Sequence, residues 1–116
     1  MIFMPPILDV RFYASGTGTE PVRDWLRELP REARKVLGDD IKTVQLGWPL
    51  GMPLVRKMEP GLWEVRSRVP AGIARLLFTV DGTTMILLHG FIKKSQKTPA
   101  DDLDTARRRK HEVHHG

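Results

Sequence analysis

The stretch Leu62–Pro99, LWEVRSRVPAGIARLLFTVDGTTMILLHGFIKKSQKTP, decides the fold. It reads as three short strands: Leu62–Val69, Ile73–Val80 and Thr84–Ile92, joined by turns at Pro70-Ala71 and Asp81-Gly82. Runs rich in Val, Ile, Phe and Thr, bounded by Pro, Gly and Asp, are strand and turn signals, and Asp-Gly is a strong hairpin signal. Arg66, Arg68 and Arg75 lie inside these strands. An arginine in a small sheet is costly to bury and is rarely chosen for packing alone. An anionic partner is expected to meet it.

Strand side chains alternate between faces. Trp63, Val65 and Val69 therefore share one face, and Glu64, Arg66 and Arg68 the other. In the next strand Ala74, Leu76, Phe78 and Val80 oppose Arg75, Leu77 and Thr79. A two-residue turn at Pro70-Ala71 sets Arg66 directly across from Arg75. Like charges in that position are destabilising. A bound phosphate would relieve the conflict, and so would neutralisation of one arginine by Glu64. For His89 two registers are open. A two-residue turn at Asp81-Gly82 puts it opposite Ala74, facing the core, and one further residue puts it opposite Arg75 on the basic face. Leu87 and Leu88 are both apolar, so alternation does not choose. Lys93, Lys94 and Lys97 follow at the end of the sheet, beside the same face.

Outward from this segment, Ile7–Tyr13 reads as a strand and Ala14–Thr19 as a loop. Thr19 is placed to cap a helix with Pro21 in its first turn. Val22, Trp25, Leu26 and Leu29 recur at helical spacing. A second helix is expected over Pro30–Leu46, with Ala33, Val36, Leu37, Ile41 and Val44 on its apolar side. Gly47 and Pro49 stop it, and Gly47–Gly61 reads as a Gly/Pro-rich loop carrying Arg56 and Lys57. Thr98 is expected to cap a last helix, with acids in its first turn and Arg107–Lys110 near its end, matching the helix dipole. Leu103, Ala106 and Val113 give that helix a thin apolar edge. His111, His114 and His115 read as a frayed tail rather than a metal site. The order is β-α-α-β-β-β-α: an α+β fold, a small antiparallel sheet covered by a helical hairpin.

A chain of 116 residues, 41% hydrophobic and 28% charged, is expected to be one globular domain spanning 1–116. It has no cysteine, which excludes a disulfide framework and any thiolate site and fits a reducing cytosol. No apolar run reaches the roughly 18 residues of a membrane span. The charge is concentrated. Residues 1–55 and 98–116 each balance their acids and bases, whereas residues 56–97 carry eight basic against three acidic groups, the whole of the chain's +5. A basic field focused on one hairpin system suits a phosphate-rich partner.

Leu62-Trp63-Glu64-Val65-Arg66, Arg75 in the next strand, Leu88-His89-Gly90-Phe91-Ile92-Lys93-Lys94 and Lys97-Thr98-Pro99 together resemble the RelE/ParE toxin superfamily, and within it the HigB-like, phage-derived branch of type II toxin–antitoxin systems. The element order matches as well, so the likeness covers nearly the whole chain. It implies a RelE-like toxin domain acting in the cytoplasm as a ribosome-dependent mRNA endonuclease. In such enzymes the 2′-hydroxyl of the cleaved nucleotide attacks the adjacent phosphate, with no metal or other cofactor. The implied partners are the ribosome with its mRNA and a cognate antitoxin, commonly a helix-turn-helix repressor. No membrane partner is implied. The superfamily also implies two alternatives: a non-enzymatic, ParE-like inhibitor of DNA gyrase, and a degenerate member that only binds antitoxin and nucleic acid.

Carried onto this chain, the resemblance gives catalytic roles to Arg66, Arg75, Lys93 and Lys94. Arg56, Lys57, Arg68 and Lys97 complete the expected RNA-binding surface. The position two before Arg66 is a lysine in the best-known member and is Glu64 here. The tyrosine of that member's final segment has no counterpart, Tyr13 being the chain's one tyrosine. Attack by a 2′-oxygen builds negative charge on phosphorus, which preorganised guanidinium groups stabilise. A base must take the 2′-proton: Glu64 and His89 are candidates if they face the site, and a lysine of perturbed pKa is a further one. Arg75 is expected to be replaceable by alanine with the fold intact.

Overall fold

A sheet whose central strands bury both faces needs a cover on each, and this chain supplies a helical hairpin on one side and a single helix on the other. The computed structural model describes residues 7–93 and 97–115. Its elements are β1 (Asp9–Phe12), α1 (Pro21–Glu28), α2 (Arg31–Gly47), β2 (Val55–Glu59), β3 (Leu62–Val69), β4 (Gly72–Asp81), β5 (Thr84–Lys93) and α3 (Ala100–His115). The sheet runs β1-β5-β4-β3-β2, with β1 parallel to β5 and every other pairing antiparallel. The fold is α+β, with a five-stranded, mostly antiparallel sheet and three helices, in keeping with a small RelE-like architecture. No helix among the described residues is long and apolar enough to cross a membrane.

One strand departs from the expected order. Residues 55–59, read as loop, form the edge strand β2. Only Val55 of VRKME is buried, so no alternation announces it. Its pairing with β3 is set by the turn at Pro60-Gly61, where Gly61 has a φ of 76°, a left-handed conformation that glycine adopts without strain. The exposed cations Arg56 and Lys57 suit an edge that must not recruit further strands.

On the hairpin side, Val65, Leu76, Phe78, Met85 and Leu87 of the sheet pack with Val22 of α1 and Val44 of α2. Trp48 meets Trp63 edge-on at 4.9 Å and Phe78 at 5.6 Å. The expected apolar stripes hold: Val22, Ala33, Leu37 and Val44 are buried, and Trp25, Leu26 and Ile41 lie against the core. Trp25 approaches β5 so closely that a Cβ on Gly90 would lie 2.4 Å from its ring.

On the opposite side, Leu62, Leu77, Leu88 and Tyr13 pack with Ala106, and Leu103 and Val113 of α3 join them. Polar contacts supplement that thin stripe. Tyr13 donates to Glu112, Arg107 Nε donates to Glu59 at 2.6 Å, and Lys110 Nζ donates to the Pro60 carbonyl at 3.1 Å. The helix continues to His115 rather than fraying, and His114 Nε2 bonds the Thr79 hydroxyl at 3.0 Å. The expected threonine caps are not formed. α1 starts after Glu20, which makes no side-chain cap, and the Thr19 hydroxyl bonds Ser15 instead. α3 starts at Ala100, two residues beyond Thr98, whose hydroxyl has a stronger acceptor in a buried carboxylate.

Candidate functional site

The turn at Pro70-Ala71 has two residues, so Val69 pairs Gly72 and Arg66 stands opposite Arg75. Glu64 is opposite Leu77, and pairing keeps Glu64, Arg66, Arg75 and Leu77 on the α3 side. Glu64 and Arg75 have no exposed surface, and the Arg66 side chain is 13% exposed. Arg75 Nη1 donates to Glu64 Oε1 at 3.4 Å and reaches the Thr98 hydroxyl at 3.5 Å. The Thr98 hydroxyl donates to Glu64 Oε2 at 2.7 Å. Arg66 Nε stands 3.9 Å from Glu64 Oε1. The carboxylate thus lies between the two cations and relieves their opposition from inside the protein. Burial lowers the Arg75 pKa, Glu64 acts against that shift, and Arg66 and Arg56 add to it. Arg75 remains a guanidinium at neutral pH.

This placement corrects one expectation. Arg75 is part of the interior, and alanine there would leave Glu64 buried with its main partner gone. Losses of that kind cost about 3–5 kcal/mol, so the fold is not indifferent to residue 75.

His89 takes neither of the two registers read from the sequence. Asp81 pairs with Thr84, which makes the turn Gly82-Thr83, and Gly82 carries a φ of 61°. Leu77 pairs His89 while Phe78 pairs Leu87, so Leu88 is an extra, bulged residue. The bulge buries Leu88 beneath α3 and still turns His89 to the face of Arg75, its diagonal neighbour two residues along the ladder, about 7–8 Å away. His89 Nε2 lies 2.6 Å from Asp102 Oδ1, and Arg109 Nη1 lies 3.5 Å from His89 Nδ1. An arginine nitrogen only donates. Together the two contacts suit the tautomer with a lone pair on Nδ1 and the proton on Nε2, which then donates to Asp102. Arg109 is itself fixed by the Leu88 carbonyl at 2.8 Å, and its guanidinium lies 5.2 Å from the Tyr13 ring centroid. Burial lowers its pKa.

Around this interior lies an exposed basic rim. Arg56 pairs Glu64, Arg68 pairs Ile73, and Ile73 pairs Lys93, which puts all three cations on the α3 side. Arg56 and Lys97 flank a cleft of about 360 Å³ that also takes in Met58 and Thr98. A second cleft, about 420 Å³, opens at Arg66 and Arg68. Lys57 is not brought to this face: it pairs Trp63, whose ring lies in the hairpin-side core. Lys94 lies outside the described residues. No three side chains able to hold a metal gather among the described residues.

The site contains three residues that sequence reading did not assign to it. Thr98 and Asp102 fit a helix start well enough to be read as capping and dipole residues. Arg109 fits a helix end. Each acts through a contact across at least 13 positions, and no local spacing announces it. No curated protein matches the chain. The model of the Gp49-like family of phage-derived proteins (DUF891), which falls within the RelE/HigB-like toxins, matches residues 24–111, and the chain belongs to that family.

Proposed function

We propose that this protein is the toxin of a type II toxin–antitoxin pair and that it cleaves mRNA on the ribosome by 2′-hydroxyl attack, without a metal. Membership of a family associated with such toxins supports the toxin reading. One observation carries the nuclease reading. Arg56, Arg66, Arg68 and Lys93 line one face of the sheet, and on that same face His89 is oriented by Asp102. Phosphate-tracking cations and an imidazole in a defined tautomer are what metal-free cleavage of RNA needs.

In this mechanism Arg66, the partly exposed member of the arginine pair, binds the scissile phosphate. His89 Nδ1 takes the proton of the 2′-hydroxyl, which replaces the long contact from Arg109. Asp102 stabilises the imidazolium formed. The 2′-oxygen bonds to phosphorus, the bond to the 5′-oxygen breaks, and that oxygen takes a proton from solvent. The products are a 2′,3′-cyclic phosphate and a 5′-hydroxyl. A cognate antitoxin, of the helix-turn-helix repressor type, silences the toxin in the cytoplasm.

Inducible expression followed by mapping of mRNA 5′ ends tests the proposal. Wild-type protein produces new 5′-hydroxyl ends within coding regions, and Arg66→Ala or His89→Gln reduces them by roughly 10²–10³-fold. Growth arrest without new ends refutes it. The interior position of Arg75 favours a second reading, because it takes one cation away from the phosphate: a non-enzymatic inhibitor of the ParE kind. Inhibition of purified DNA gyrase with mRNA left intact identifies that case.

A further inference from the structure

The cleft at Arg66 and Arg68 differs in chemistry from the rest of the basic face. It lies where α2, the segment before β2 and the β3–β4 end of the sheet converge, and Met52, Leu54 and Ile73 give it an apolar floor. Met52 is 60% exposed, so its side chain presents apolar surface at the mouth of the cleft. Arg66 and Arg68, two apart on one strand and so on one face, form a cationic wall. Asp40 of α2 lines the cleft as well. Its Oδ2 accepts from the Ser67 hydroxyl at 2.6 Å, and Ser67 is 1% exposed. That bond fixes the carboxylate and leaves Oδ1 able to accept.

We propose that this cleft is a base-selecting nucleotide subsite: one RNA base lies on Met52, Leu54 and Ile73, its phosphate meets Arg68, and Asp40 accepts hydrogen bonds from an amino-bearing base edge. The inference rests on the reading of the protein as an RNA-cleaving toxin and adds the base that it selects. A volume of about 420 Å³ is at the low end of the roughly 300–1,000 Å³ that hold small ligands, which suits one nucleotide. The mixed lining suits an acidic peptide less well, since its carboxylates would be drawn to the arginines but repelled by Asp40. A nucleotide has the required asymmetry: an anionic end, an apolar face and an edge with donors. A carboxylate accepts from the amino group of cytosine or adenine. Guanine offers it two parallel donors, N1–H and the amino group. Uracil offers one N–H between two carbonyl oxygens, which the carboxylate repels. The expected order is guanine first and uracil last.

The test uses the purified full-length chain with short RNAs, UGU, UCU, UAU and UUU, and measures affinity by fluorescence anisotropy. UGU is expected to bind about tenfold more tightly than UUU, within the range for one good bidentate base contact. Asp40→Asn removes most of that preference, while the amide oxygen still accepts from Ser67. Arg68→Ala, an exposed substitution that leaves the core alone, weakens all four RNAs alike and lowers the salt slope by about one. Equal affinity of the wild-type chain for all four RNAs overturns the subsite, as does a preference that persists in Asp40→Asn. The 5′-end maps separate this failure from that of the nuclease reading. Cleavage whose neighbouring bases are the same in wild type and Asp40→Asn overturns the subsite alone. Absence of cleavage beside intact, Asp40-dependent selection of UGU overturns the nuclease reading alone.

Discussion

Replacing Glu64 by glutamine removes one charge and almost no volume from the interior, and so isolates what the carboxylate does for Arg75. Breaking a buried ion pair by removing one partner costs about 3–5 kcal/mol. Two features favour the upper end: both side chains are fully buried, and Glu64 also faces Arg66 at 3.9 Å. Two favour the lower end. The 3.4 Å contact with Arg75 is longer than the roughly 2.7–2.9 Å of a strong charge-assisted bond, and glutamine can still accept from Thr98. A loss of about 3 kcal/mol is expected, out of the roughly 5–15 kcal/mol typical of a domain. With a urea slope of about 2 kcal/mol per molar, the unfolding midpoint falls by roughly 1.5 M. Tryptophan fluorescence reports it, since Trp63 is the preceding residue and packs on Trp48 and Phe78.

The double substitution Glu64→Leu with Arg75→Met supplies the control. Exchanging a whole buried pair for apolar groups of similar size is often neutral or stabilising, so the double variant should regain most of the midpoint. A Glu64→Gln midpoint within about 0.3 M of wild type, or a double variant no better than the single one, refutes the account of Arg75 as an interior cation held by Glu64. Cleavage by the refolded double variant then locates Arg75 in function. Near-normal cleavage leaves the chemistry to Arg66 and His89, and a stable but inactive double variant returns Arg75 to the site.

Gly90→Ala places a Cβ 2.4 Å from the Trp25 ring, so Trp25 must move, at a cost of about 1–3 kcal/mol read from the same urea midpoints; an unshifted midpoint would show that α1 is not held that closely. The Tyr13 hydroxyl, donating to Glu112, has its pKa raised above the ordinary 10.0 by that bond first and by burial second. The folded state then holds this proton more tightly than the unfolded state, so the contribution is complete below about pH 10 and is lost as pH rises through the raised value. Tyr13→Phe should flatten the alkaline fall of stability, and equal slopes in the two proteins would contradict this. Lys93→Ala should reduce the salt slope of RNA binding by about one without changing base preference. Association with the antitoxin should accelerate as salt falls, since exposed charges are screened beyond about 10 Å at 0.1 M; a salt-independent rate would mean that it docks away from the basic face.

What the sequence revealed follows from how local each signal is. The hairpin at Pro70-Ala71 and the opposition of Arg66 and Arg75 were legible because a two-residue turn and a period of two leave one register. The helical stripes were legible because burial follows the 3.6-residue period. β2 was not, since an edge strand with one buried residue takes its conformation from its neighbour. The His89 register depended on a bulge that two successive leucines conceal. The threonines at 19 and 98 satisfy the rules for caps, yet each hydroxyl bonds another side chain. Neutralisation of one arginine by Glu64 was one of two readings the residues left open, and a pairing diagram cannot decide between a carboxylate on the same face and a phosphate from outside.

The carboxylate at position 64 changes how charge is divided within the site. A lysine there, as the resemblance implies for the best-known member, would add a third cation to Arg66 and Arg75 on the same face and leave all three to be neutralised by RNA. With Glu64 in place, the three residues carry one net positive charge, and Arg75 is held inside by contacts the protein itself supplies. On the proposed reading, the field that RNA meets then comes from Arg66 and from the rim of Arg56, Arg68, Lys93 and Lys97. Such exposed groups act mainly as counterion-releasing contacts, positioning the chain without reading it. A rim of that kind needs a second element for selectivity and another for proton transfer. The fold has a carboxylate suited to each: Asp40, fixed by Ser67 in the cleft, and Asp102, fixed against His89 at the start of α3.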